Sequence, residues 1–195
     1  MIQRMQSKTL KSIVVFAALG IAAVLFIMPK LPPSAKAAQA QLREEPELEQ
    51  IMLSLNLGEA PMQGILRLRD YADTHPGSAQ AQFYLGKFAV QSGQMDKATQ
   101  RFQNVVDIDP ERAEVWFELS GLYLSQRQFE RSLECAKKAR EVNSELNDAL
   151  FFEAAALEHL GDTVQALVVY EEFLPHAGDP QVKGAVEVAI KKLSQ

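Results

Sequence analysis

The chain has 195 residues, 47% of them hydrophobic, and one cysteine, which leaves room for one packed domain with an appendage and excludes a disulfide framework or a cysteine-based zinc cluster. Its net charge of −5 conceals a polarity: Arg4, Lys8, Lys11, Lys30, Lys36 and Arg43 stand in residues 1–43 without one acid, and the other 14 bases and all 25 acids follow, a net of −11. So acidic a body lacks the electrostatic footprint of a nucleic-acid binder, and no nucleic-acid partner is expected.

Residues 1–11 are a basic tail. Residues 12–28, SIVVFAALGIAAVLFIM, are uncharged and lack a polar face. As a helix they would reach about 25 Å, near the lower limit for a hydrocarbon core of about 30 Å. Two readings fit: a cleaved signal peptide or a retained signal anchor. The run exceeds the roughly 7–15 apolar residues of a signal peptide. The small-residue patterns Ala35-Lys36-Ala37 and Ala38-Gln39-Ala40 come only after Pro32 and Pro33. The anchor is therefore favoured. Arg4, Lys8 and Lys11 precede the span, so the positive-inside tendency turns the amino terminus inward. The expected placement is single-pass in the inner (cytoplasmic) membrane, with everything beyond residue 30 extracytoplasmic, in the periplasm. Residues 29–43, with three prolines, read as a linker.

Beyond the linker the chain repeats every 34 residues. Phe83, Phe117 and Phe151 keep that spacing, as do Ala98, Ser132 and Ala166, and Pro76 and Pro110. Four copies result, 45–78, 79–112, 113–146 and 147–178, each read as two antiparallel helices. In the second copy, helix A is expected over Ala79–Gln91, a turn at Gly93, and helix B over Met95–Asp107. Small residues at Gly86, Ser120 and Ala154 let helix A approach a neighbour. Leu85, Leu119, Phe102, Tyr123 and Tyr170 fill the space between. A final segment, 179–195, places Val182, Ala185, Val186, Ala189, Ile190 and Leu193 on one helical face, suited to covering the last copy. Its mixed-charge polar side makes membrane binding by this face the lesser reading.

Trp116, Leu119, Ser120 and Tyr123, with Ala98, Phe102 and Pro110, resemble the signature of the tetratricopeptide repeat (TPR) family. The resemblance is strongest over 79–178. Gly64 and Leu68 stand where Ala and Phe are expected in the first copy, and Gly178 stands where the fourth would have Pro. It implies an all-α solenoid of about four helix pairs with a capping helix, behind the amino-terminal transmembrane helix.

The resemblance also implies a concave groove lined by helix A. Its fifth, ninth and twelfth positions would be Phe83, Lys87 and Val90; Phe117, Gly121 and Leu124; and Phe151, Ala155 and Glu158. That groove is aromatic and suits an apolar protein or peptide partner. Equally, the rings could simply pack between helices, or the linker or capping helix could fill the groove. The Lys/Asn/Arg clamp of TPR domains that grip acidic chaperone tails is missing, with only Lys87 at a ninth position. His75, His159, His176 and the pairs Glu44-Glu45 and Glu171-Glu172 form no recognisable metal or acid–base constellation. No catalytic residue, metal or cofactor is expected. The expected function is a membrane-anchored scaffold, with envelope protein assembly as one setting. The alternative is a structural membrane protein that self-assembles through its convex face or capping helix.

Overall fold

A computed structural model describes residues 45–56 and 61–195, all within one compact unit, Gln41–Gln195. The tail, the apolar run 12–28 and the linker 29–43 lie outside the described residues. No described helix is long and apolar enough to cross a membrane.

The regular structure of the described residues is helical. The helices are α1 Pro46–Asn56, α2 Pro61–Thr74, α3 Ala79–Gln91, α4 Met95–Ile108, α5 Ala113–Ser125, α6 Phe129–Val142, α7 Ala149–Leu160, α8 Thr163–Phe173 and α9 Pro180–Leu193, with a 3-10 turn at Leu174–His176. They pair as α1/α2, α3/α4, α5/α6 and α7/α8. Each helix packs on its chain neighbours, and α5 also reaches α7.

Local chemistry sets the boundaries. Ser78 caps α3 by accepting from the Ala81 amide at 3.1 Å. Asp179 caps α9 through the Gln181 and Val182 amides, and Pro180 occupies the first turn, where its missing N–H costs nothing. Pro110 sits further out than a helix start: it lies in the turn, and α5 begins at Ala113. The turns inside the last three pairs share one left-handed residue, at Gly93 (φ 72°), Arg127 (φ 59°) and Gly161 (φ 84°). The middle turn keeps the geometry without glycine, at an expected cost of about 1–2 kcal/mol.

Three clusters of buried side chains run along the stack. Leu48, Ile51, Leu68 and Tyr71 join the first pair to Ala81 and Leu85 of α3. Phe102, Val105, Val115, Leu119 and Tyr123 form the middle. Leu150, Ala154, Tyr170, Phe173 and Val186 form the end. Burial of each large side chain contributes about 1.5–3 kcal/mol before entropy is counted. In α9, Val182, Val186, Ala189, Ile190 and Leu193 face that last cluster, while Ala185 stays exposed.

Small residues sit where the sequence pattern placed them, for a visible reason. A Cβ on Gly86 would stand 2.6 Å from Cε1 of Phe102, a ring with no exposed surface. At the matching place in the third copy, Ser120 lies buried and the hydroxyl of Ser132 donates to its carbonyl at 2.8 Å.

Candidate functional site

At about 100° per residue, Phe83, Lys87 and Val90 fall on one side of α3. The same spacing aligns Phe117, Gly121 and Leu124 on α5, and Phe151, Ala155 and Glu158 on α7. Contacts between copies set these faces side by side. Lys87 Nζ donates to Glu118 Oε1 at 2.7 Å, joining α3 to α5. Gly121 faces the ring of Phe152, joining α5 to α7.

The nine side chains are not equivalent. Phe83 is half-buried, 5.9 Å from the Phe102 ring, with the Arg112 guanidinium over its own ring at 4.9 Å. Phe151 stands 5.8 Å from Phe173. Val90 packs with Phe83 on the middle cluster, and Leu124 packs with Phe151 on the last. Ala155 is buried. Glu158 accepts from the Tyr170 hydroxyl at 3.1 Å and from Lys192 Nζ at 2.9 Å. Most of the expected row therefore also holds the domain together.

Phe117 behaves differently. It joins none of the three buried clusters, and its ring partner is Phe152, 5.1 Å away and tilted by 50°. Phe152 is also half-buried and outside the clusters, with an edge-on contact to Phe151 at 5.5 Å. Its ring occupies the space above Gly121: an added Cβ there would meet Cζ at 2.9 Å. Phe152 is absent from the fifth–ninth–twelfth pattern. The doublet Phe151-Phe152 is the signal in the sequence, but its meaning depends on the glycine 31 residues earlier. Tyr84, with an edge contact to Phe83 at 5.9 Å, packs instead against the first buried cluster.

Charges on this face are mostly paired. Arg112 is only 6% exposed and donates to Gln80 Oε1 at 2.9 Å, with Glu114 and Asp109 beside its Nε. Its Nη1 and the Gln80 Nε2 have no hydrogen-bond partner among the described residues. At the amino-terminal end, Glu45 is more than a solvated acid: it accepts from Ser78 Oγ at 2.6 Å and from the Tyr71 hydroxyl at 3.0 Å. Burial, then the bond to Glu45, pushes the Tyr71 phenol up to about 12. His75 stacks on Tyr71 with ring centres 4.1 Å apart, and His159 stacks on Phe129 at 4.4 Å. Cys135 is a buried free thiol, pushed up to about 12 by desolvation, with neighbouring Glu134 adding to the shift. That protonated state is unreactive, since the thiolate is the nucleophile. What the face offers chemically is apolar, aromatic surface edged by mostly paired charges.

Known proteins match this arrangement. The family model described as tetratricopeptide repeat covers residues 89–145. Tetratricopeptide repeat protein 28 of Mus musculus is 29% identical over 107 residues, which is 53% of this chain but only 4% of that protein. Among solved structures, MamA MSR-1 C2 superposes with a TM-score of 0.61 at 17% identity, covering 78% of this chain and 88% of that one. The first TPR of Spaghetti (RPAP3) bound to HSP90 peptide SRMEEVD superposes at 0.55 with 18% identity, covering 60% and 94%. At these identities the structural likenesses speak for the fold. With the 34-residue spacing, the four helix pairs and the family match over residues 89–145, the central copies of this chain are tetratricopeptide repeats.

Proposed function

We propose that this protein is a membrane-anchored, extracytoplasmic scaffold that holds a protein or peptide segment against the helix-A face of its TPR domain. One observation carries the reading: Phe117 and Phe152 are paired aromatic rings, only half-buried, that none of the buried clusters uses. Aromatic rings of this kind supply large contact area at low entropic cost and are the usual anchors of binding surfaces. A related fold binds a peptide, as the Spaghetti domain with its HSP90 segment illustrates. The guest here would be more apolar, because Lys87 is engaged by Glu118 and leaves no basic clamp.

The anchor rests on the apolar run 12–28, and the periplasmic placement rests on the basic residues before it. Envelope protein assembly is the setting that suits both. Crosslinking in membranes, read by mass spectrometry, tests the whole reading. Wild type should yield a defined partner together with the intact amino-terminal peptide. The Phe117→Ala/Phe152→Ala double variant should lose that partner and keep its helical circular dichroism. Undiminished capture by the double variant would remove the groove from the proposal. Recovery of a chain cut after residue 40 would remove the anchor.

A second reading, self-assembly, draws on Val164 and Val168, one turn apart on α8 and 73% and 58% exposed. Analytical ultracentrifugation of the full chain in detergent, with Val164→Glu/Val168→Glu as comparison, decides it: a monomer at high concentration counts against it.

A further inference from the structure

On the far side of α3 from Phe83, Leu85 and Phe88 form part of the floor of an open cleft of about 360 Å³, walled by α2 and α4. The helical angle separates the two faces of α3: the residues of the first lie within about 40° of Phe83, and those of the cleft lie about 140–240° around from it. Met62 and Leu66 of α2 line the cleft and remain 69% and 42% exposed. Its charged edge is Arg69, Lys97 and Arg101, and no carboxylate lines it among the described residues. Lys97 donates to the amide oxygen of Gln94 at 2.6 Å and Arg101 to that of Gln82 at 2.9 Å. Neither forms an ion pair among the described residues. Among the described residues, the ion pair of Arg69 is a long, exposed contact to Asp70 at 3.5 Å. In a body with 25 acids against 14 bases, a cleft whose described edge carries three cations and no acid runs against the composition.

We infer that this cleft is a second docking site, for an acidic protein segment that inserts bulky apolar side chains between α2 and α4. The apolar floor would take the inserted side chains, and the three cations would meet the flanking carboxylates. Complementary charge of this kind sets orientation and rejects wrong partners. The chain's own amino-terminal region does not match, since residues 1–43 contain six bases and no acid. An anionic bilayer matches less well than a peptide. The cleft is recessed, and a flat anionic surface would face the net-negative body around it. The site is independent of the Phe117–Phe152 face.

The test is fluorescence anisotropy of the full chain in detergent micelles with three labelled helix-forming peptides of equal length. One carries leucines one turn apart flanked by glutamates, the second has lysine for each glutamate, and the third has serine for each leucine. Only the first should bind. Lys97→Glu/Arg101→Glu should weaken it about tenfold or more, and Lys97→Gln/Arg101→Gln by less. Lys183→Glu on α9 and Phe117→Ala should leave it unchanged. A circular dichroism melt matching wild type shows that the paired substitutions spare the fold. The inference is overturned if the acidic peptide fails to bind, if the lysine peptide binds as well, or if the reversal has no effect. It is also overturned if vesicles of phosphatidylcholine with phosphatidylserine bind through Lys97 and Arg101 while the peptides do not.

Discussion

Gly86 and Gly121 both lie within a helix A and both face an aromatic ring, yet alanine should do opposite things at the two. Each substitution gains about 1 kcal/mol of helix propensity. At Gly86 the new methyl would sit 2.6, 2.7 and 3.0 Å from three atoms of Phe102. Carbon–carbon contacts are comfortable at about 3.5–4.0 Å, so the ring must retreat by about 1 Å. Phe102 has no exposed surface and is surrounded by the middle cluster, so the retreat overpacks a filled core, at about 2–3 kcal/mol. The net expectation for Gly86→Ala is a loss of about 1–2 kcal/mol. At Gly121 only Phe152 Cζ is close, at 2.9 Å, with two atoms at 3.4 Å. That ring is half-buried and can swing by about 0.5 Å towards solvent, so Gly121→Ala should be neutral or stabilising by up to about 1 kcal/mol. Urea unfolding of the full chain, followed by circular dichroism, measures both. Equal effects at the two positions, or a stabilised Gly86→Ala, would refute the distinction between a ring that is core and a ring that is surface.

Three further outcomes follow from the same geometry. Arg127→Gly should raise stability by about 0.5–1 kcal/mol in urea unfolding, because it frees a left-handed turn from its side-chain strain; no gain would mean that the turn is unstrained. Arg112→Met should cost about 2–4 kcal/mol in the same assay, losing the bond to Gln80 and the cation over Phe83; a midpoint near wild type would show the buried guanidinium to be dispensable. Cys135 should resist a disulfide reagent in the folded chain and react at once in denaturant. The folded thiol keeps its proton to about 12 and the unfolded one releases it near 9.0, so its stabilising share is whole below pH 9 and is lost as pH climbs towards 12. Tyr71, raised from 10.0 to about 12, acts in the same direction, and an alkaline melting series without such a decline would contradict both.

Much of the fold was written in the spacing. The second copy's expected helices, Ala79–Gln91 and Met95–Asp107, are observed as Ala79–Gln91 and Met95–Ile108. Period and turn chemistry act locally, and the left-handed turns at 93, 127 and 161 recur with the same period. The candidate face was only half legible. Its positions could be counted off, but which rings are surface depends on what lies opposite in another copy. Phe83 and Phe151 turn inward because Phe102 and Phe173 receive them. Phe117 stays apart because Gly121 lets Phe152 lie over its helix. Likewise, nothing in the spacing singles out Arg112, and only the assembled fold brings Gln80 to it across 32 positions.

The pairs that join one copy to the next also fix the order of the copies. Lys87 needs Glu118 ahead of it, and Gly121 needs Phe152. If the third and fourth copies were exchanged, the ammonium of Lys87 would meet the Phe152 ring and Glu118 would lose its partner. The repeats share one backbone but are not interchangeable bricks. Each is addressed to its successor, so duplicating, deleting or transplanting a single copy would leave a mismatched seam on the face proposed to meet the guest.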